Sequence, residues 1–170
     1  MQGVLSGDEV FGFVKPLLDV HTLGISTIVN LLRDCKYKSY FAPDEVNEAV
    51  INIQKLNNYG LLKKWLRDKQ ITHLGFSYRL DPKDGCDYFI GLLDHLLNDN
   101  MFVKDGGQIR QVFFAGLPDA CQLVSGRTNN SILTFSGGET PLESLEKLGV
   151  PDDRLPNTLL NNNEYDKMRW

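Results

Sequence analysis

Six consecutive residues, Asp19-Val20-His21-Thr22-Leu23-Gly24, combine the side-chain types from which a ligand site is built. A histidine binds a metal through one ring nitrogen when an acceptor on the other nitrogen fixes its tautomer. Asp19 stands two residues before His21 and can be that acceptor. Gly24 has no side chain, so a bulky ligand can approach the backbone closely there. The pattern Asp-x-His-x-x-Gly therefore predicts a buttressed histidine beside a point of close approach.

The segments on either side place this motif at the edge of a sheet. The apolar run 10–18 predicts a strand, and the apolar residues of 24–34 recur at helical spacing. In an open α/β sheet the turn between them lies at the carboxyl end of the strand, where ligands bind, and a helix N-terminus attracts anions. The alternative is that His21 satisfies a loop carbonyl and Asp19 caps the helix.

The rest of the chain alternates between strand and helix patterns. Strands are predicted at 37–41, 71–77, 108–115 and 132–135, and helices at 43–56, 61–68, 84–97, 120–125 and 142–148, with a break at 57–60. Such alternation indicates an α/β fold, a flavodoxin-like doubly wound five-stranded parallel sheet with the order 2-1-3-4-5. In that order the ends of strands 1 and 3 meet at the switch point, beside His21.

Composition limits the function classes. The 170 residues are 42% hydrophobic and 24% charged, which is ordinary for one soluble domain, and the net charge of -4 argues against a nucleic-acid partner. The absence of a signal core and of an 18-residue apolar run predicts a cytoplasmic protein with no membrane partner. Cys35, Cys86 and Cys121 are widely spaced and predict neither a disulfide nor a metal site.

The motif, followed by the apolar residues Ile25, Ile28 and Val29, resembles the cobalamin-binding domain of methionine synthase and of the cobalamin-dependent mutases. The resemblance implies that His21 replaces dimethylbenzimidazole as the lower ligand of cobalt. It further implies that Asp19 buttresses His21, and that Thr22 and Gly24 contact the cofactor. The cofactor would be adenosylcobalamin or methylcobalamin.

The same resemblance implies a slot in the sheet for the displaced nucleotide tail of the cofactor. The slot would be lined by residues that follow the third, fourth and fifth strands: Ser77, Leu80, Gly116, Gly137 and Gly138. Two positions depart from the family pattern, because Arg79 stands where leucine is usual and Leu117 replaces a second glycine.

Each slot residue also has an explanation that needs no ligand. Ser77 can simply end a strand. In the glycine-rich turn, Thr140, Pro141 and Glu143 have the pattern of a helix cap, its first residue and a capping box. Of the other histidines, His73 in a strand and His95 on a helix are more typical of packed or exposed residues than of ligands.

These observations predict a cobalamin-binding domain at 1–151 and a linker or docking tail at 152–170. The chain would serve a cobalamin-dependent mutase or radical enzyme, with the substrate site on another catalytic domain or subunit. It would therefore not be catalytic alone. One alternative is a corrinoid methyl-carrier protein of a methyltransferase system. Another is a non-cobalamin signalling domain, which needs Asp and Lys where Ser77 and Ser136 stand. A flavin or nucleotide carrier would need a hydroxyl-rich loop after the first strand.

Overall fold

A five-stranded parallel sheet forms the centre of the molecule. The computed structural model describes residues 4–21 and 23–160. The strands are β1 (Val10–Val14), β2 (Lys38–Phe41), β3 (His73–Tyr78), β4 (Gln111–Gly116) and β5 (Leu133–Phe135). All pairs are parallel, and their order is β2-β1-β3-β4-β5. This is the flavodoxin-like order, so the predicted fold class is confirmed.

Helices cover both faces of the sheet. They are α1 (Leu23–Asp34), α2 (Asp44–Ala49), α3 (Leu56–Asp68), α4 (Pro82–Asn98), α5 (Pro118–Arg127), α6 (Pro141–Leu148) and α7 (Asn157–Leu160). Short 3₁₀ helices occupy Val50–Asn52, Val103–Asp105 and Asp152–Arg154. The core residues of α1, α6 and α7 cluster on one face, and those of α2, α3, α4 and α5 cluster on the other.

Alternation along the strands divides the core into two layers. In β1, Phe11 and Phe13 belong to the α1/α6 layer, whereas Val10 and Val14 belong to the opposite layer. Both layers are apolar, as a parallel sheet with two covered faces requires. The same alternation decides which side chains at the ends of the strands can face α1 and the His21 turn.

The first strand is shorter than its apolar run. β1 ends at Val14, and Pro16 has no N–H with which to continue the ladder. The backbone N–H groups on either side of Pro16 donate hydrogen bonds to α2 instead of to a neighbouring strand. Lys15 N–H donates to Asn47 Oδ1 at 3.0 Å, and Leu17 N–H donates to the Asn47 carbonyl at 3.1 Å. This anchor fixes where the chain leaves the sheet and begins the His21 turn.

The predicted helix break at 57–60 is wrong. α3 begins at Leu56 and runs through these residues, while the actual break is 53–55, between the 3₁₀ helix Val50–Asn52 and α3. The Asn58 side chain donates to the Asn52 carbonyl at 2.9 Å, so an asparagine that is a weak helix former satisfies the preceding turn. Tyr59 is anchored by its hydroxyl, which donates to Asp99 at 2.7 Å.

The chain beyond α6 continues along the α1/α6 face. α6 ends at Gly149 with φ of 95°, a left-handed conformation that suits glycine. Leu155 and Leu159 are then buried in the same cluster as Phe11 and Ile28. Within the described residues, no helix combines the length and the apolar character needed to cross a bilayer. Of the predicted tail, 161–170 lies outside the described residues.

Candidate functional site

The predicted pairing of Asp19 with His21 is present. Asp19 Oδ1 lies 2.6 Å from His21 Nδ1 and also accepts the His21 backbone N–H at 2.9 Å. The carboxylate is fully buried, whereas the imidazole side chain is 54% exposed. A carboxylate on Nδ1 fixes the ring orientation and leaves Nε2 as the nitrogen for an outside group. The turn thus presents one oriented imidazole at the carboxyl edge of the sheet.

Two further contacts, from Lys15 and Arg79, hold Asp19 in place. Its Oδ2 accepts the Arg79 backbone N–H at 2.6 Å, and the Lys15 ammonium donates to its backbone carbonyl. Burial alone would raise the pKa of Asp19, but hydrogen bonds from the N–H groups of His21 and Arg79, with the imidazole, outweigh burial and lower that pKa. Asp19 is therefore an ionised acceptor that joins the β1 turn to the end of β3.

Among the residues that the structure describes, no group of three His, Cys, Asp or Glu side chains is placed to hold a metal ion. A zinc site built from protein side chains needs three or four such ligands.

Apolar side chains surround the turn on its solvent side. Leu17, Leu18 and Val20 are 42%, 52% and 80% exposed. Gly24 lies in the first turn of α1 and is partly buried. A large contiguous patch of exposed apolar side chains is typical of a surface that a ligand or partner covers. The predicted contact residue Thr22 lies outside the described residues.

Ser77 faces the layer beneath α1 and α6. Its neighbours Phe76 and Tyr78 belong to the opposite layer, so the alternation points Ser77 toward α1, with 3% exposure. The adjacent residue in register is Ala115, another small side chain. On α6, the hydroxyl of fully buried Ser144 has no hydrogen-bond partner among the described residues. Ser77 and Ala115 thus place two small side chains next to each other in the layer that α1 and α6 cover.

Gly116 has a structural explanation in the other layer. A Cβ on Gly116 would lie 2.7 Å from the Tyr78 carbonyl oxygen and 2.8 Å from the Phe114 ring. Both neighbours belong to the side of the sheet away from Ser77. Close packing against Tyr78 and Phe114 therefore requires glycine at this position without any ligand.

The glycine-rich turn after β5 is filled by its own carboxylate. Glu139 accepts the Ser136 N–H at 3.2 Å and the Gly137 N–H at 3.0 Å, and it pairs with Lys147 at 3.3 Å. Burial raises the pKa of Glu139, but its backbone hydrogen bonds and Lys147 lower it further than burial raises it. Because Glu139 already occupies these donors, the turn does not offer them to a phosphate. The predicted cap is present, since Thr140 Oγ1 accepts the Glu143 N–H at 3.1 Å.

Arg79 brings the β3 and β5 turns together. A Cβ on Gly137, which has φ of 91°, would lie 3.2 Å from an Arg79 guanidinium nitrogen. The guanidinium therefore packs directly on Gly137, while the Arg79 backbone binds Asp19. Leu80, the other predicted residue of this loop, is 37% exposed. The sequence showed Arg79 as a departure from the family pattern or as half of a local ion pair with Asp81. It did not predict the contact with Asp19, because a contact across 60 residues leaves no local signal.

The other two histidines serve the fold in the described structure. His73 is 4% exposed, with Nδ1 2.9 Å from Thr72 Oγ1 and its ring against Phe11. His95 Nδ1 lies 2.8 Å from the Gly91 carbonyl oxygen, and its ring packs against Tyr59. Both are satisfied by neighbours and lie away from the His21 turn, as the sequence suggested.

A pocket of about 430 Å³ lies beside the Asp19 turn and was not predicted. Its lining comes from the ends of β1 and β2 and from the beginnings of α1 and α2, and it includes Lys15, Asp19 and Phe41. The residues that form it are ordinary apolar and polar types from four separate segments. No spacing of residues within the sequence therefore predicts the pocket.

Comparison of the chain with family models, with curated proteins and with solved structures returns no match.

Proposed function

We propose that this chain is a cobalamin-binding module in which His21 is the lower ligand of cobalt. The observation that carries the proposal is the Asp19–His21 pair, with a 2.6 Å contact to Nδ1 and a half-exposed ring at the switch point of the sheet. Nε2 would bind the cobalt, and Asp19 would hold the ring and its Nδ1 proton in one orientation. Hydrogen bonds from Arg79 and His21 keep Asp19 ionised for that role.

The surrounding residues support this proposal unequally. The exposed apolar residues Leu17, Leu18 and Val20 suit a large cofactor face, and Ser77 with Ser144 suits a buried polar tail. Gly116, Gly137 and Gly138 support it less, because packing and Glu139 already account for the first two. His21, Asp19 and Ser77 are therefore the residues assigned to the cofactor.

The bound corrinoid, as adenosylcobalamin or methylcobalamin, would supply the reactive cobalt–carbon bond. This chain would orient His21, exclude water from the Asp19 carboxylate and shelter the tail. The substrate site would belong to a catalytic domain or subunit that docks on the His21 edge. We favour a mutase or radical enzyme as that partner, in the cytoplasm, over a methyltransferase system.

The test is a titration of the purified chain with hydroxocobalamin. We expect a stable red complex whose visible spectrum differs from that of the free cofactor. His21→Ala should alter this spectrum and weaken binding, because the cobalt–nitrogen bond and its Asp19 partner are lost. Electron paramagnetic resonance of the reduced complex should show nitrogen splitting that changes with ¹⁵N-labelled histidine.

The matched control is His95→Ala, which removes a histidine far from the turn and should leave the spectrum of the complex unchanged. A chain that retains no hydroxocobalamin after gel filtration contradicts the proposal as a whole. Binding with an unchanged spectrum in His21→Ala would contradict only the assignment of His21 as the cobalt ligand.

A further inference from the structure

The pocket beside the Asp19 turn does not include Ser77 in its lining. Its lining residues come from β1, β2, α1, α2 and the turn itself. Its volume of about 430 Å³ lies within the range of about 300–1,000 Å³ that small-molecule pockets occupy. A small organic molecule would fill it.

Six of the eleven lining residues of the pocket are apolar. Of these, Phe13, Ile25 and Ala42 are buried. At the rim, Phe41 is 44% exposed and Val20 also faces solvent. Apolar side chains that surround a cavity favour a ligand with an apolar body, because covering them removes apolar area from water.

The charged groups of the pocket decide the polarity of the other end of the ligand. Lys15 is partly buried, and its ammonium donates to the Asp19 carbonyl. An ammonium has three donors, so Lys15 can bind a further acceptor. Asp19 also lines the pocket, but both of its carboxylate oxygens already accept hydrogen bonds, from His21 and from the Arg79 N–H. Asp44 lies at the exposed first turn of α2, where the helix dipole stabilises its charge.

We propose that this pocket binds a small carboxylate with an apolar body. The carboxylate meets the Lys15 ammonium, and the body lies against Phe13, Ile25 and Phe41. This inference goes beyond the proposed function, and it is tested on the chain without cobalamin because Leu17, Asp19 and Val20 border both sites. Lys15 also donates to the Asp19 carbonyl, so a ligand bound to Lys15 contacts a residue that supports the His21 turn. Its binding should therefore change the orientation of the His21 ring.

The test follows amide resonances of the ¹⁵N-labelled chain during titration with 3-phenylpropionate. The neutral analogue 3-phenyl-1-propanol is the matched probe, since it keeps the apolar body and lacks the charge. We expect saturable shifts at Ser26 and Asn47 with the acid, and binding of the alcohol that is weaker by roughly fivefold to tenfold. The His21 ring resonances should shift with the acid as well.

Two variants separate the charge from the cavity. Lys15→Met keeps an apolar stem and removes the charge, so the affinity for the acid should fall to that for the alcohol. Ser26→Leu should fill the pocket and abolish the binding of both probes, while Lys104→Met on the distant surface should change neither. The proposal is overturned if the acid produces no saturable shift at lining residues, if both probes bind equally, or if Lys15→Met leaves the affinity for the acid unchanged.

Discussion

The chain builds the same turn at opposite edges of the sheet. In the amino-edge turn, 6–9, the Ser6 and Gly7 N–H groups donate to Glu9 at 2.6 and 2.7 Å. In the carboxyl-edge turn, 136–139, the Ser136 and Gly137 N–H groups donate to Glu139 at 3.2 and 3.0 Å. Both sequences have the pattern Ser-Gly-x-Glu. The glycine after the serine has a positive φ in each, 110° at Gly7 and 91° at Gly137. Each glycine also packs on an arginine guanidinium.

The comparison separates structure from function in the glycine-rich turn. Ligands of open α/β sheets bind at the carboxyl ends of the strands, so the amino-edge turn forms where no ligand is expected. The Ser-Gly-x-Glu turn therefore forms without a ligand, and its presence is not evidence for a phosphate site. What distinguishes the carboxyl edge is the His21 turn, whose imidazole is half exposed above a buried carboxylate.

The histidines at the two edges also have different environments. The largest expected effect on the free energy of unfolding follows from this difference. His73, at the amino edge, is buried, and burial lowers its pKa to about 4 from an ordinary value of about 6.5. The unfolded chain therefore binds a proton more tightly than the folded chain does. Stability should be complete above about pH 6.5 and should fall by about 3 kcal/mol as the pH decreases to 4.

Urea unfolding between pH 4 and 7 measures this dependence. His73→Gln should lose most of the slope, because glutamine does not titrate, whereas His95→Gln keeps His73 and its slope. A wild-type free energy of unfolding that stays flat between pH 6.5 and 4.5 would show that His73 is not held neutral by burial.

The second comparison concerns the two glutamates. Glu9→Gln should reduce the free energy of unfolding at pH 7 by about 2 kcal/mol, and Glu139→Gln by about 1 kcal/mol, because the Glu9 side chain is less exposed to solvent and accepts shorter hydrogen bonds. The pKa of each group lies below its ordinary value despite burial, so this stability is present above about pH 4.5 and is lost as the pH falls through the folded pKa.

Urea unfolding of both variants at pH 7 and at pH 3 checks this difference. The loss in the free energy of unfolding that each substitution causes should be smaller at pH 3 than at pH 7. An equal cost for both variants, or a larger cost for Glu139→Gln, would contradict the ranking and would mean that the carboxyl-edge turn depends on its glutamate as strongly as the amino-edge turn does.

The fold was predictable because its signals are local. Apolar runs, helical spacing and the Thr140 cap lie within single segments, so strand and helix identities follow from short windows of sequence. The contact of Asp19 with His21 was predictable for the same reason, since the residues are two apart. The error at α3 came from treating asparagines as breakers when Asn58 instead satisfies the preceding turn.

The parts that sequence did not predict depend on long-range contacts. The Arg79 N–H reaches Asp19 across 60 residues, and the pocket combines β1, β2, α1 and α2. The Glu139 carboxylate was also missed, although the repeated Ser-Gly-x-Glu sequence was a usable signal. The amino-edge copy of that sequence argues for a structural explanation of the carboxyl-edge copy.

The smallest expected effect concerns inorganic phosphate at the carboxyl-edge turn. Wild-type Gly137 and Gly138 amide resonances should not shift saturably with millimolar phosphate, because Glu139 occupies the Gly137 donor and repels an anion. Glu139→Gln removes that charge and leaves Lys147 without its carboxylate partner, so weak shifts should appear in the variant. A saturable shift in the wild type would show that phosphate displaces Glu139. The carboxyl-edge turn would then be a ligand site in spite of its likeness to the amino-edge turn, and Gly137 would return to the residues assigned to the cofactor tail.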